Sequence, residues 1–224
     1  FFFGLIVASV WLVGKTVEKW TPINIIGLIL GAGFAFVVTI ITPTAGSENL
    51  LYIFICGALA ICAMILPGIS GSFILLLLGA YATILGTVSD TIDALKDKDW
   101  GALMDSAVLM GIFMLGCLFG LIAFSKLLNM LFKKNKNLII SILTGFLIGS
   151  LNKIWPWKET IKTRINSKGE EVPFIQENVS PSAFTEITGN DNQLLISIVL
   201  MVVGLTLIIL LDKFGTPKTE KVVD

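Results

Sequence analysis

The sequence predicts an all-α, polytopic integral membrane protein in which some helices are broken or re-entrant. Hydrophobic residues make up 55% of the 224 residues and charged residues only 14%, with a mean hydropathy of +0.89. Several apolar runs reach the roughly 17–25 residues that cross a bilayer, and a soluble domain would not need so many in series. A third observation is Pro67–Ser72, which interrupts an otherwise apolar block from Leu50 to Leu85.

Seven apolar segments can be placed, and together they form a single membrane domain over residues 1–224. The first segment starts without a methionine or the basic region of a signal peptide, so we expect the N-terminal part of the natural chain to be missing. Glycines four residues apart, at Gly27 and Gly31 and at Gly116 and Gly120, predict close helix packing. The segments are Phe1–Gly14, Ile23–Thr42, Leu50–Leu66, Phe73–Gly86, Leu103–Phe124, Leu138–Leu151 and Leu194–Leu211.

The two segments that flank Pro67–Ser72 are short. As helices of 17 and 14 residues they would be about 26 and 21 Å long, against a hydrocarbon core about 30 Å thick. A re-entrant hairpin that enters and leaves the membrane on one side fits these lengths, with Asn49 and Thr87 both on the outer face. Two tilted or shortened spans are the alternative.

Lysine positions orient the chain. The link Ser125–Asn137 holds four lysines and no acidic residue, which places it in the cytoplasm. Residues 152–193 then form an extracytoplasmic loop with a Ser-Lys-Gly turn at 167–169, and residues 212–224 form a cytoplasmic tail. No charged residue falls in the central part of any apolar segment, which argues against a proton pump.

The interruption itself carries the chemistry that points to a ligand. Pro67 disrupts a helix, and Gly68 and Gly71 loosen the backbone around it. Ser70 and Ser72 open the helix that follows, where free N–H groups and the positive end of the dipole favour an anion. These five residues are therefore the predicted substrate-binding segment. The alternative is a plain Pro-Gly kink whose polar groups are satisfied by neighbouring helices.

Four more residues are candidates for head-group or interface contacts: Tyr81, Lys153, Trp155 and Trp157. Tyr81 lies nine residues beyond Ser72, about 13 Å further along a continuous helix, which favours an interfacial anchor. The two tryptophans belong to a Trp-Pro-Trp step typical of an aromatic belt. Lys153, with Lys158 on the other side of that step, could recruit an anionic lipid head group or could snorkel to the interface.

Composition argues against several other kinds of site. The chain has no histidine, and its three cysteines, Cys56, Cys62 and Cys117, lie in apolar segments without a CxxC pair. We therefore expect small buried hydrophobes rather than a zinc site, and no catalytic residue, metal or cofactor. Net charge is zero and no basic tract is interleaved with aromatics, so nucleic acid is not an expected partner.

The run Ile65–Tyr81, with Phe2-Phe3-Gly4 upstream and Gly149–Trp157 downstream, resembles the prokaryotic polyprenyl-phosphate (undecaprenyl-phosphate) translocases. The resemblance implies a multi-pass protein of the plasma membrane that returns the lipid carrier phosphate from the outer to the inner leaflet for recycling in cell-wall synthesis. It also implies an inverted-repeat transporter with a second Pro-Gly-x-Ser-Gly-Gly segment. This chain has one copy, with Ser72 where glycine is frequent, so it would be half or more of such a transporter.

Two other functions stay open on the residues alone. A helix break of this kind could serve a transporter of a small soluble anion equally well. A membrane lipid-phosphate phosphatase would need a nucleophile with a base, or carboxylates that hold a metal. The chain has no histidine and no acidic residue in the central part of any apolar segment, which disfavours the phosphatase. The family resemblance implies the bilayer and a polyprenyl phosphate lipid as the expected partners.

Overall fold

The computed structural model describes residues 1–41, 46, 47, 49–165 and 171–215, with the backbone alone at 164, 165 and 215. Within these ranges the chain is mostly helical, and the predicted all-α membrane class is confirmed. Three helices, over Pro22–Ile40, Trp100–Ser150 and Leu194–Phe214, are long and apolar enough to cross a membrane. The elements are α1 (Phe2–Lys15), α2 (Pro22–Ile40), α3 (Leu50–Ile65), α4 (Gly71–Leu77), α5 (Tyr81–Asp97), α6 (Trp100–Ser150), β1 (Lys158–Ile165), β2 (Glu171–Asn178), α7 (Pro181–Thr188) and α8 (Leu194–Gly215).

Helix α6 is a helical hairpin rather than one straight rod. Its first arm packs on α3 through Gly120, while Phe146 in its second arm touches Gly68, just past the end of α3. In a straight helix Gly120 and Phe146 would be about 39 Å apart, so the chain must fold back between them. It does so at Asn135, which has non-helical dihedrals (φ −156°, ψ 79°) and whose side chain caps the second arm by accepting from the Leu138 N–H at 3.3 Å.

The link Ser125–Asn137 therefore differs from the prediction, which separated two helices there. It is helical except at Asn135, because its lysines and leucines favour helix and only Asn135 leaves the helical region. The two apolar segments on either side remain distinct as the two arms of α6.

Small residues bring the helices into backbone contact. Gly31 of α2 faces the carbonyl of Ile142, and Gly145 of α6 faces the carbonyl of Leu28, so that an added Cβ would lie 2.3 and 2.2 Å from those oxygens. Gly116 lies equally close to Phe54 of α3. The predicted packing role of the glycine pairs is confirmed, and the second arm of α6 lies directly against α2.

Helices α3 and α4 form a hairpin whose open ends meet. The Tyr52 hydroxyl near the start of α3 donates to the Leu78 carbonyl just past α4, and Gly46 lies against Gly79. Side chains from both helices share a buried cluster, which comprises Ile53, Cys56, Ala60, Leu75 and Ala80. The two helices therefore run side by side in opposite directions.

The predicted segment Phe73–Gly86 is not one helix, which is a correction to the sequence analysis. Helix α4 has only seven residues, and the chain bends by 107° between α4 and α5. Gly79 adopts a positive φ of 68° at this bend, which glycine tolerates without strain. Ala80 beside it is buried in the core cluster, so tertiary packing overrides the apolar pattern.

The predicted polar loop 152–193 contains regular structure. Strands β1 and β2 pair antiparallel from Lys158↔Asn178 to Ile165↔Glu171, and α7 follows them. The predicted turn at 167–169 lies outside the described residues. Two indole N–H groups tie this segment together, from Trp155 to the Val179 carbonyl and from Trp157 to the Asn192 carbonyl, both at 2.8 Å.

Candidate functional site

The helix break spans the five residues between α3 and α4. Leu66 is extended (φ −78°, ψ 127°), as expected of a residue that precedes proline. Gly68 has a φ of +85° and lies against the second arm of α6, where an added Cβ would be 2.7 Å from Ser150 Oγ. Only glycine satisfies both this conformation and this contact. Pro67 and Gly68 therefore shape the turn and dock it on α6.

The break packs against the C-terminal part of the second arm of α6. Gly68 lies against Ser150 and Phe146, which are fifteen and eleven residues past Asn135. These positions are about 22 and 16 Å along the second arm. Because Ser150 is the last residue of α6, the break lies beside the end of that arm.

The two predicted serines lie together at the start of α4. Ser70 and Ser72 are exposed, and their hydroxyl oxygens are 2.8 Å apart. Ser70 occupies the N-cap position, yet its side chain makes no capping hydrogen bond. Gly71 between them is buried against Ala60 and Met64 of α3. The first backbone N–H groups of α4 therefore have no side-chain cap, and the two serine hydroxyls lie beside them.

A cavity of about 290 Å³ joins this break to a residue far away in sequence. Lys153, which follows the second arm of α6, lines it together with Gly68, Ser70 and Ser150. The sequence analysis named Lys153 and the break separately, and the structure brings them to one site. The remaining lining is largely apolar and consists of Ile6, Ala35, Val38, Thr39, Ile69, Phe73 and Ile154.

A second cavity of about 410 Å³ lies on the side of the β-hairpin, and we call it the outer cavity. Its lining includes Lys153 and Lys158, the end of α2, Phe73 and Leu76 of α4, and residues 174–178 of β2. The Lys158 ammonium donates to the Lys153 carbonyl, and the Lys153 ammonium lies 4.3 Å from the centroid of the Phe73 ring. Two cations thus share one cavity.

Neither of these lysines has a carboxylate partner in the described ranges, where the ion pair formed is Lys96–Asp93. Although both ammonium groups are accessible from the cavities, the surrounding protein removes part of their hydration, and this burial lowers the pKa of Lys153. Burial, and then the charge of Lys153, lower the pKa of Lys158. An anion bound beside the two ammonium groups would offset this penalty, because it favours their charged forms.

The aromatic candidates separate into two groups. Tyr81 lines a third cavity of about 250 Å³ with Ser72, Phe73 and Leu76, so its predicted position well beyond Ser72 along one helix is wrong because the chain bends at Gly79. Trp155 and Trp157 line none of these three cavities. Their rings contact each other at 5.5 Å between centroids, and their indole N–H groups hold residues 152–193 together.

Sequence reasoning missed a polar cluster in the wall of the outer cavity. The Asn152 amide donates to Thr39 Oγ1 at 2.7 Å, and the Asn178 amide donates to Asn152 Oδ1 at 2.8 Å. These bonds connect the ends of α2, α6 and β2. The polar pair Asn152-Lys153 directly after an apolar segment was a signal, whereas Thr39 and Asn178 meet it only through tertiary structure. No three Cys, Asp or Glu side chains come together as a metal site in the described part of the chain.

Comparison with known proteins gives consistent results. A family model described as undecaprenyl phosphate translocase-like matches residues 1–172. A polyprenyl-phosphate transporter of Vibrio cholerae is 42% identical over 215 residues, which cover 96% of this chain and 65% of that protein. A polyprenyl-phosphate transporter of Staphylococcus aureus is 29% identical over 168 residues, which cover 70% of this chain and 56% of that protein.

No solved structure matches the chain. The chain spans 65% and 56% of the lengths of the two curated relatives. The family model nevertheless covers more than half of the chain, including the helix break and both tryptophans of the Trp-Pro-Trp step. The chain belongs to the undecaprenyl phosphate translocase-like family.

Proposed function

We propose that this protein transports a polyprenyl phosphate across the plasma membrane of a prokaryote, from the outer to the inner leaflet, so that the carrier lipid is recycled. The names of the family and of both relatives support this substrate class. The observation that carries the proposal is the cavity that unites Gly68 and Ser70 of the helix break with Lys153. No catalytic step is part of the proposal.

The phosphate group would be held by three kinds of donor. Ser70 lines the cavity, and the hydroxyl of Ser72, which lines the third cavity, is 2.8 Å from the Ser70 hydroxyl and can turn toward the same anion. The backbone N–H groups at the start of α4 add their dipoles. The Lys153 ammonium supplies the charge, and hydrogen bonds between charged partners are about twice as strong as neutral ones.

The isoprenoid tail would leave through the apolar part of the same cavity. Ile6 of α1, Val38 of α2 and Ile154 line it together with Ser70. Hydrocarbon gains about 0.8 kcal/mol for each CH₂ group removed from water, so a lining of this kind favours a lipid phosphate over a small soluble anion. This lining is our reason for preferring the lipid carrier.

We further propose that α3 and α4 form a re-entrant hairpin. Helix α4 is about 10 Å long and cannot cross the membrane alone. A crossing made of α4 and α5 together would have to accommodate their 107° bend. A hairpin tip within the membrane needs partners for its backbone groups, and the cavity beside Lys153 provides a place where a head group or water can satisfy them.

The test is transport by the full-length protein in liposomes. The protein should accelerate the flipping of a labelled polyprenyl phosphate, and Ser70→Ala combined with Ser72→Ala should slow it about tenfold or more, since each hydrogen bond to a charged group contributes about 1.5–3 kcal/mol. Ser180→Ala with Ser182→Ala is the matched control, because those two hydroxyls are also paired, at 3.0 Å, at the start of α7. Equal rates in the two double variants would remove the break serines from the mechanism.

A further inference from the structure

The outer cavity has a different character from the cavity at the helix break. It lies between the ends of α2 and α6 and strand β2, and it is bounded by the polar cluster of Thr39, Asn152 and Asn178. Its volume of about 410 Å³ is in the range of small-molecule sites. Two ammonium groups face it, and Glu177 is the acidic residue in its lining.

The lysines keep donors available for a ligand. Each ammonium carries three N–H groups, and Lys158 donates one of them to the Lys153 carbonyl. Among the described residues, the ion pair within 4 Å is the one between Lys96 and Asp93. The carboxylate of Glu177 therefore lies farther than 4 Å from both ammonium groups. The cavity therefore offers two positive charges and several N–H groups that can still donate hydrogen bonds, which suit the oxygens of a phosphate group.

Phe73 connects the outer cavity to the break. Its ring contributes to the lining of both cavities, and the Lys153 ammonium lies over it at 4.3 Å from the centroid. A cation over a ring is held more weakly than a cation that hydrogen-bonds a phosphate. A phosphate that arrives in the outer cavity can therefore draw Lys153 off the ring, and Lys153 borders the next cavity as well.

We propose that the outer cavity is a second phosphate site, occupied before the break, in which Lys158 is the specific ligand and Lys153 is shared by both sites. Its ligand is a phosphomonoester carried by a lipid, and this role rests on the proposed transport function. Lys153 then passes the head group from the outer cavity, beside Phe73, to Ser70 and Ser72. Lys158 acts on capture, whereas the serines act on passage.

Binding and transport by the full-length protein test this proposal together. Lys158→Gln should raise the substrate concentration for half-maximal flipping about tenfold and leave the maximal rate within about twofold, as expected when one charge-assisted contact is lost before the limiting step. Lys162→Gln, on the same strand but outside the lining, should behave as the wild type. Lys158→Arg should restore capture because it keeps the charge.

Binding is measured by tryptophan fluorescence with two probes, a short-chain isoprenyl phosphate in detergent and inorganic phosphate. Weaker binding of either probe by the Lys158→Gln protein than by the Lys162→Gln protein supports the site; weakening for the isoprenyl phosphate alone identifies the lipid-borne group. Equal binding curves for both probes in the two variants overturn the proposed second site. A wild type that flips no polyprenyl phosphate, yet binds phosphate through Lys158, would defeat the proposed function and leave the site standing.

Discussion

Replacing Lys153 with glutamine is expected to reduce the rate of polyprenyl phosphate flipping by about 10- to 100-fold. Lys153 borders both the break cavity and the outer cavity, so its loss removes the charge at the break and one of the two positive charges in the outer cavity. A hydrogen bond to a charged group contributes about 1.5–3 kcal/mol, and about 1.4 kcal/mol corresponds to a tenfold change. The measurement is flipping by the full-length protein in liposomes.

Lys96→Gln is the matched control for this loss. Lys96 is an exposed lysine on α5 that pairs with Asp93 at 2.9 Å, and exposed pairs contribute little to stability. The Lys96 variant should therefore flip lipid at the wild-type rate. A Lys153→Gln protein that stays within about twofold of the Lys96→Gln protein would show that Lys153 is not a ligand.

A second control uses pH. Burial lowers the pKa of Lys153, and a bound phosphate would raise it, because the charged form gains a partner. The affinity for the phosphate is then full below the pKa that Lys153 has in the empty site, and it falls as the pH rises through the pKa that Lys153 has in the occupied site. The fall should begin below the ordinary lysine pKa of about 10.4. Lys153→Arg keeps its charge, so the affinity of this variant for the phosphate should fall less as the pH rises, because only Lys158 loses its proton. Parallel pH profiles for the variant and the wild type would contradict this. The phosphate, with a second pKa of about 6, is fully ionised over this range, and Glu177 is the acidic residue in the lining of the outer cavity.

Gly145→Val is expected to prevent stable folding of the protein. An added Cβ at this position would lie 2.2 Å from the Leu28 carbonyl oxygen and 2.8 Å from the Ala32 amide nitrogen. Both are backbone atoms of α2, so α2 must move away from α6, and overpacking of this kind costs about 3 kcal/mol or more. Thermal unfolding in detergent should show a large fall in midpoint or a loss of folded protein.

Gly33→Val tests whether this effect comes from packing. Gly33 is also on a membrane helix, α2, but an added Cβ there meets nothing within 4 Å. Both variants carry the same small change in helix propensity. A Gly145 variant that unfolds at the same temperature as the Gly33 variant would mean that α2 and α6 do not need their close approach.

The sequence predicted features that depend on local chemistry. Proline and glycine disfavour the helical conformation, so the break at Pro67–Ser72 could be predicted from the sequence alone. The close approach of Gly27 and Gly31 was visible for the same reason, since only small residues allow it. These features need no knowledge of distant parts of the chain.

Features that depend on tertiary packing were not predictable in the same way. The bend at Gly79 sits in a run of leucines, and only the burial of Ala80 in the core cluster reveals why the helix stops there. Lys153 is 83 positions from Ser70, and it reaches the break because α6 folds back at Asn135. The β-hairpin was read as a loop because its strands are polar and exposed for most of their length, so they lack the apolar alternation of a buried strand.

The accessibility of position 70 tests the substrate-filled helix break most directly. A cysteine replaces Ser70 in a full-length protein whose native Cys56, Cys62 and Cys117 have been changed to alanine, and a small water-soluble thiol reagent is added on each side of the membrane in turn. Because Ser70 is exposed and lines the cavity next to Lys153, the cysteine should react from the outer side and polyprenyl phosphate should protect it. Labelling from the cytoplasmic side alone, unchanged by the lipid, would contradict a substrate site in a re-entrant break.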